Sequence, residues 1–143
     1  MIKNNINFKK IRKNKKNSDI LFKLLSKRSF KISHKKMPSI IDHYKFVKNS
    51  KYRYWYFIIL NEEYIGTFYI KNDNSVGLNI NGYYTQNLIE NIINYIKKNF
   101  KPLPEIKSER INSFFYNVSP ENKKLIKVLK KLKFKNIQLT FIG

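Results

Sequence analysis

Cysteine is absent from this chain of 143 residues. Disulfide bonds, thiolate metal sites and a cysteine nucleophile are therefore excluded. Histidine is scarce as well, because only His34 and His43 occur. Two imidazoles without any thiolate offer too few ligands for a dedicated zinc site, so we expect no metal centre.

Long hydrophobic runs are also missing. No apolar stretch approaches the roughly 20 residues that a transmembrane helix needs, and the longest comparable segment, residues 54–60, has the length of a strand. The basic N-terminus lacks the apolar region of a secretory signal. We therefore expect a cytoplasmic protein without a membrane span, and the chain length predicts one domain over residues 1–143.

Acidic residues are few: 9 Asp and Glu stand against 30 Lys and Arg, which gives a formal net charge of +21. Such a positive field attracts anions, and nucleic-acid binding is one interpretation. Only four of the basic residues are arginine, however, and the lysines are spread along the whole chain. A sequence rich in Lys, Asn and Ile and without Ala is also typical of an A/T-rich genome, so two explanations of the charge remain open.

Hydrophobic periodicity predicts six strands and four helices in the order β-α-α-β-β-β-α-β-α-β. The predicted strands cover residues 6–11, 54–60, 64–70, 75–80, 113–118 and 134–142. The predicted helices cover residues 19–27, 40–48, 88–99 and 120–132. Asn17 or Ser18 is expected to cap the first helix and Ser39 the second, and the pair Ser119-Pro120 is a helix-start signal for the last.

Each predicted helix has one apolar face, as expected for helices that cover a sheet. In the second helix this face would consist of Ile40, Ile41, Tyr44 and Val47. In the last helix it would consist of Leu125, Ile126, Val128, Leu129 and Leu132.

Residues 113–143 carry the most informative pattern in the chain. A β-rich run is followed by the Ser119-Pro120 helix start, an amphipathic helix and a second β-rich run. This order resembles the closing unit of the GNAT-type N-acetyltransferases, and Asn122 lies where that family usually has an asparagine near coenzyme A. The order of all ten elements is similar to the GNAT fold. The segments ISHKKMPS, DHYKFV and YRYWYFI also look like those of small bacterial GNAT-like proteins.

The resemblance implies an α+β fold of the α/β/α sandwich type. Four helices would cover a twisted, mixed and mostly antiparallel sheet.

The resemblance also implies a site for acetyl-CoA. In this family the pantetheine arm lies where the strand corresponding to residues 75–80 parts from the one corresponding to residues 113–118, and the pyrophosphate rests on amides at the start of the next helix. The residues expected around the cofactor are Leu78, Asn79, Ile80, Tyr84, Thr85, Gln86, Asn87, Leu88, Asn117 and Asn122. For Asn122, capping of its own helix is an alternative role.

The phosphate loop departs from the family pattern R/Q-x-x-G-x-G/A. Gln86 matches its first position, but Ile89 and Asn91 occupy the glycine positions. We expect these side chains to crowd the pyrophosphate, because only small residues let the backbone approach it closely.

Acetyl transfer needs a base for the amine and an acid for the departing thiolate. The family's usual acid is a tyrosine seven residues after the asparagine, and this position here holds Leu129. Tyr116 is the expected substitute, with Tyr83 and Tyr84 as alternatives. His34 is the expected base, because imidazole titrates near neutrality and its loop lies where acceptor sites form in this family. A structural or surface role for His34 remains open.

The function that the resemblance implies is acyl-CoA-dependent transfer of an acetyl-type group to a primary amine. The acceptor would be an amino sugar, a protein N-terminus or a small metabolite, and the protein a monomer or a homodimer. One alternative is a GNAT-like protein that has lost catalysis and binds a ligand or partner. Another is a basic nucleic-acid-binding domain, although the sequence lacks an arginine-rich recognition helix and an RNA-binding aromatic signature.

Overall fold

A computed structural model of the chain describes residues 5–28, 36–82 and 85–143. The strands are β1 (Ile6–Lys10), β2 (Tyr54–Leu60), β3 (Glu63–Ile70), β4 (Ser75–Ile80) and β5 (Phe115–Tyr116). The helices are α1 (Lys15–Ser26), α2 (Ile40–Asn49), α3 (Gln86–Asn99) and α4 (Lys123–Lys131). Across these described ranges no helix is long and apolar enough to cross a membrane.

The strands form one sheet in the order β1-β2-β3-β4-β5. The first four run antiparallel to their neighbours, and β5 pairs with β4 in parallel. The turn between β2 and β3 is tight: Asn61 and Glu62 have φ of 49° and 69°. Two successive positive φ values are typical of the hairpin turn whose twist matches that of the flanking strands.

The sheet is covered by a helix pair on each side, because alternate strand residues face opposite directions. One hydrophobic cluster joins α3 and α4 to Phe68, Ile70 and Val76. The other joins α1 and α2 to Ile11 and Phe57. Two helical layers around a central, mostly antiparallel sheet make an α/β/α sandwich, so the predicted α+β fold class is confirmed.

Helix α1 begins four residues earlier than predicted. Its cap is Asn14, whose Oδ1 accepts from the Asn17 amide at 2.8 Å, and not Asn17 or Ser18. Asn17 instead lies inside the helix and accepts from the Arg12 amide at 2.7 Å. Several residues in a row can cap here, and Asn17 is unavailable as the cap because its Oδ1 already accepts from the Arg12 amide. The predicted cap of α2 is confirmed, since Ser39 Oγ accepts from the Asp42 amide at 3.1 Å.

Helix α2 buries only part of the predicted face, and it also buries His43. His43 and Val47 are buried, whereas Ile40 and Ile41 are 40% and 64% exposed. The His43 ring lies 2.9 Å from the Ser18 carbonyl of α1 through its Nε2 atom. This contact places the stripe of residues 43 and 47 against α1, and the isoleucines of the first turn are left outside it.

The sixth predicted strand is not formed. Residues 134–143 contain no strand, and they are exposed throughout. The predicted fifth strand is also shorter, since β5 comprises only Phe115 and Tyr116. A strand needs a neighbouring strand to pair with, and residues 134–143 pair with none within the described part of the chain.

Candidate functional site between two parting strands

The candidate site lies where β4 and β5 separate. The two strands pair only at Ser75 with Phe115 and at Val76 with Tyr116. The last ladder bond runs from the Asn117 amide to the Val76 carbonyl at 3.3 Å. Beyond Val76, β4 continues beside β3 alone. We call the resulting wedge, between residues 77–80 and residues 117–119, the β4–β5 opening.

Backbone groups of β4 point into this opening. The Ser75 carbonyl accepts from the Lys71 amide, and the Asn81 amide donates to the Ile65 carbonyl. The backbone N–H and C=O groups of the odd-numbered residues of β4 therefore point towards β3. Because backbone direction alternates along a strand, Leu78 and Ile80 present their N–H and C=O groups on the β5 side. The described part of the chain supplies no partner for these groups.

Asn74 holds β5 in place at the base of the opening. Its buried side chain donates from Nδ2 to the carbonyls of Leu103 (2.9 Å) and Ile111 (2.7 Å), and its Oδ1 accepts from the Leu103 amide at 2.7 Å. Its own carbonyl accepts from the Phe115 amide at 3.2 Å. Asn74 thus ties the loop before β5 to the β3–β4 turn and fixes where the strands part.

A small cavity lies in the opening. Its lining residues are Leu78, Asn79, Asn117, Val118, Ser119, Asn122 and Leu125. Four of the residues predicted to contact the cofactor are therefore brought together here. The cavity volume is about 20 Å³, room for about one water molecule. A pantetheine arm would have to widen this gap.

The start of α3 provides exposed backbone donors. Thr85 caps the helix, and its Oγ1 accepts from the Leu88 amide at 3.2 Å. The amides of Gln86 and Asn87 have no partner in the described part of the chain. The Leu88 side chain is buried in the core, so the exposed surface here comes from residues 85–87.

The side chains at the family's glycine positions do not both lie near these amides. Ile89 is fully buried in the α3–α4 cluster, so it does not cover the helix start. Asn91 is exposed and donates to the Asn87 carbonyl at 2.9 Å. Glu90 accepts from the Gln86 side chain at 2.9 Å and adds a negative charge one turn into the helix.

Asn122 caps α4. Its Oδ1 accepts from the Leu125 amide at 3.2 Å. The helix therefore begins at Lys123 rather than at the predicted Pro120, while the Ser119 hydroxyl accepts from the Glu121 amide at 3.3 Å in the preceding turn. The capping role considered for Asn122 is present, and the same residue also lines the cavity.

Tyr116 faces the opposite side of the sheet from Asn117. It lies beside Val76 and packs against the α3–α4 cluster, with its ring centroid 5.6 Å from that of Phe134. Burial raises the pKa of Tyr116 above its ordinary value, so the phenol keeps its proton at neutral pH. Tyr116 is not among the residues that line the cavity. Leu129, at the family's usual tyrosine position, is buried in the same cluster.

An aromatic pair that was not predicted from the sequence lies on the other side of the sheet. Tyr69 stacks on Tyr52 with ring centroids 4.4 Å apart and planes 13° apart. A Cβ atom at Gly77 would lie 2.1 Å from the Tyr69 ring, so the glycine allows this ring to cross β4 where the strands part. Burial raises the pKa of Tyr52 to about 12 and also raises the pKa of Tyr69. A glycine inside a strand is the signal that could have indicated this close approach.

Arg28 adds a positive charge near this pair. Burial lowers the pKa of Arg28, and its charge interacts with Tyr69 and Tyr52. Its Nε atom is buried without a hydrogen-bond partner in the described part of the chain.

The remaining predicted site residues are separate from the opening or lie beyond the described ranges. His34, Tyr83 and Tyr84 are outside the described residues. His43 is buried between α1 and α2, where its ring also contacts Phe22 edge-on at 5.2 Å.

The element order, the antiparallel strands β1–β4 and the parting parallel pair define a GNAT-like α+β fold. Three solved structures share this fold. One is a domain from Methanocaldococcus jannaschii, with 14% identity and a TM-score of 0.63 over 95% of this chain and 92% of that chain. Another is the N-acetyltransferase PseH from Campylobacter jejuni in complex with acetyl coenzyme A, with 18% identity and a TM-score of 0.58 over 95% of this chain and 92% of that chain. A third is a possible acetyltransferase from Clostridium difficile, with 15% identity and a TM-score of 0.58 over 96% of this chain and 95% of that chain. No family model matches the sequence, and no curated protein matches it. At these identities the likeness establishes the fold alone.

Proposed function

We propose that this chain is an acyl-CoA-dependent N-acyltransferase, which moves an acetyl group from acetyl-CoA to a primary amine. The observation that carries the proposal is the β4–β5 opening, into which Leu78 and Ile80 direct backbone groups that have no partner in the described part of the chain. The amides of pantetheine can bond to such groups in the way that an added strand does. One structure with the same fold is an N-acetyltransferase in complex with acetyl coenzyme A and another is described as a possible acetyltransferase, and this supports the proposal.

The nucleotide end of the cofactor would rest on the start of α3. The amides of Gln86 and Asn87, which have no partner among the described residues, and the positive end of the helix dipole suit a pyrophosphate. Because Ile89 is buried in the core, it leaves the approach to these amides open. The net charge of +21 favours an anionic cofactor further.

Tyr116 and His34 remain the proposed acid and base. The phenol of Tyr116 stays protonated at neutral pH, as an acid for the thiolate must. Its side chain packs against the α3–α4 cluster outside the small cavity, so this role requires the opening to widen before the phenol can reach the departing sulfur.

The acceptor that we propose is a weakly basic amine. The positive charge of the chain would lower the pKa of a bound amine, because like charge disfavours the ammonium form. A protein N-terminus, with an ordinary pKa of about 7.7–8.0, then loses its proton more readily than a lysine side chain at about 10.4. We therefore propose an α-amine or an amino sugar in place of a lysine.

Thiol release from acetyl-CoA in the presence of an amine panel tests this function. Free α-amines and amino sugars are expected to react faster than a lysine side chain near neutral pH, and the difference should shrink at high pH. Tyr116→Phe should lower the turnover number about 100-fold without weakening cofactor binding. Tyr64→Phe, which alters a tyrosine in the α1–α2 cluster away from the opening, is the matched control. Cofactor binding without thiol release from any amine would instead favour an inactive binding protein.

A further inference from the structure

Arg28 is a half-buried cation without a carboxylate partner. Its Nε atom is buried and has no hydrogen-bond partner in the described part of the chain. All nine Asp and Glu residues lie within the described ranges, and none of them acts on the charge of Arg28. Leaving a buried charged group unpaired costs free energy, so such a group is a candidate for binding a ligand of opposite charge.

Two phenol groups accompany the guanidinium. Burial raises the pKa of Tyr52 to about 12 and also raises the pKa of Tyr69, so both hydroxyls keep their protons at neutral pH and can donate. Among the described residues, neither hydroxyl forms a side-chain hydrogen bond. We call Arg28, Tyr52 and Tyr69 the guanidinium–phenol cluster. Its donors are not matched by acceptors of the described chain, as expected of a site for an anion.

The charges next to the cluster also favour an anion. Lys71 Nζ lies 5.6 Å from the centroid of the Tyr69 ring and adds a second positive charge. The nearest negative charge is that of Asp73, which acts on Tyr69. Its Oδ1 already accepts from the Ser75 amide at 2.8 Å and from the Ser75 hydroxyl at 2.6 Å. Asp73 is therefore occupied by its own turn.

The cluster borders the β4–β5 opening. Gly77 is the first residue of β4 beyond the last pair with β5, and a Cβ atom there would lie 2.5 Å from the Tyr69 hydroxyl. This hydroxyl therefore lies over β4 where the strands part. Asn79, two residues further along the same face, lines the cavity. The end of α1 is tied to the end of β4, because Asn81 donates from Nδ2 to the Leu24 carbonyl at 2.9 Å.

We propose that the guanidinium–phenol cluster binds an anionic group of the acceptor, a carboxylate or a phosphate, beside the β4–β5 opening. This assignment rests on the proposed transfer to an amine and names the chemical class of the acceptor. The planar guanidinium can donate two parallel hydrogen bonds to either group, and the phenols can donate to its remaining oxygens. Among the amines proposed above, the cluster would favour an amino sugar or a free α-amine that carries such a group.

An anion held here would also orient the amine. The cluster lies on the α1–α2 side of the sheet, since Tyr69 pairs with Trp55, which packs against that helix pair. The acceptor would thus approach the opening from this side, and a second anchor point reduces the freedom of its amine. Loss of the anchor should therefore raise KM for an anionic acceptor and leave a neutral acceptor unaffected.

Calorimetric titration with matched amino sugars tests the proposal. Glucosamine is compared with glucosamine-6-phosphate and with muramic acid, which is the same sugar carrying a carboxylate. The titrations contain coenzyme A, so that no acetyl transfer occurs, and about 0.3 M salt, which screens the general positive field. The preferred anionic sugar is expected to bind about tenfold or more tightly than glucosamine, and the ranking of the two distinguishes phosphate from carboxylate.

Variants of α1 and its end separate the cluster from the overall charge. Arg28→Gln should reduce the preference to less than about threefold, and Arg28→Lys should retain part of it, because lysine keeps the charge but not the planar fork. Lys23→Gln removes one charge from an exposed position of α1 and should leave the preference unchanged. Arg28→Gln should not lower the melting temperature, because Arg28 has no ion pair to lose.

Thiol release from acetyl-CoA with the same three sugars separates this proposal from the proposed function. Binding that depends on Arg28 without thiol release from any sugar would support the anion site and count against the transferase. Equal thiol release and equal binding with neutral and anionic sugars would support the transferase and overturn the anion site. The anion site is also overturned if Arg28→Gln and Lys23→Gln weaken binding equally, or if neither anionic sugar binds at millimolar concentration.

Discussion

At the scale of single residues, the position of the opening depends on side chains that bond to the backbone. Asn74 is the clearest case, because one buried amide group makes three hydrogen bonds to two loop residues and its carbonyl holds the Phe115 amide. Its φ of 72° lies in the left-handed region, which asparagine tolerates better than most residues. Conformation and hydrogen bonding therefore both favour asparagine at this position.

Asn74→Asp should destabilise the protein by about 3 kcal/mol or more, because a carboxylate cannot donate to the Leu103 and Ile111 carbonyls and would be buried beside them. Urea denaturation measures this loss. Asn61→Asp is the control: Asn61 also has positive φ, but its exposed Oδ1 only accepts, from the Asn5 amide at 2.9 Å. Equal losses of unfolding free energy in the two variants would show that the side-chain hydrogen bonds of Asn74 contribute nothing to stability.

Lys133 occupies a position that favours glycine. It ends α4 with φ of 66°, and the following Phe134 amide bonds back to the Leu129 carbonyl. Lys133→Gly should stabilise the protein by about 1 kcal/mol, because it relieves the left-handed backbone strain. Lys130→Gly, inside the same helix, should destabilise it by about 1 kcal/mol. Denaturant titration of both variants checks the opposite signs, and a loss of stability in Lys133→Gly would contradict the account.

At the scale of elements, β3 and β4 approach each other closely beside the opening. The β2–β3 register shifts between Ile58 and Ile59, opposite Gly66. A Cβ atom at Gly66 would lie 2.1 Å from the Asn79 carbonyl oxygen and 2.9 Å from the Ile80 Cα atom. Because these are backbone atoms, a side-chain rotation cannot relieve the overlap.

Gly66→Ala should therefore cost about 2–3 kcal/mol and displace the β4 wall of the opening. Gly82→Ala is the control, since among the described residues, apart from its chain neighbours, no heavy atom lies within 4 Å of the added Cβ. It should cost only the strain of its positive φ, about 1 kcal/mol. Urea denaturation gives both values. Similar losses of stability in the two variants would mean that β4 can shift away from the added methyl group at little energetic cost.

The sequence predicts elements well where the signal is local. The strands β2, β3 and β4 match their predicted bounds within one residue, because their apolar runs end at polar turns around Asn61 and Asn74. The two-residue strand β5 could not be predicted, because Asn74 and β4 decide its length through contacts distant in sequence. The cap of α1 was missed and α4 begins later than the Ser119-Pro120 signal predicts, because neighbouring residues have similar capping ability; the capping role considered for Asn122 is present.

The candidate site could be predicted in part for the same reason. The resemblance to the GNAT fold placed Leu78, Asn79, Asn117 and Asn122 together, and the structure brings these four residues to one cavity. The Tyr52–Tyr69 pair beside Gly77 depends on a cross-strand contact that no local pattern shows.

At the scale of the whole molecule, buried tyrosines make stability depend on alkaline pH. The pKa of Tyr52 is raised to about 12, so between about pH 10 and about pH 12 the folded state holds a proton that the unfolded state has lost. Unfolding then releases a proton, and stability falls as the pH rises through this window. Lysine deprotonation acts in the same range, so the wild type must be compared with a variant.

Tyr52→Phe removes this one titration and leaves the lysines unchanged. Its melting temperature relative to that of the wild type should rise steadily from about pH 10 to about pH 12. Thermal melts of both proteins at matched pH give the difference. A difference that stays constant over this range would show that Tyr52 titrates as an exposed phenol.

The central claim is that the β4–β5 opening binds acetyl-CoA, and calorimetric titration at high salt tests it most directly. Salt weakens non-specific attraction of anions to a chain of net charge +21, so acetyl-CoA should still bind one to one while ATP binding disappears. Asn117→Trp, at the opening, should abolish the binding, and Asn112→Trp, at an exposed position before β5, should leave it intact. If acetyl-CoA and ATP are lost together as salt rises, or if the two tryptophan variants bind equally well, the opening is not the cofactor site.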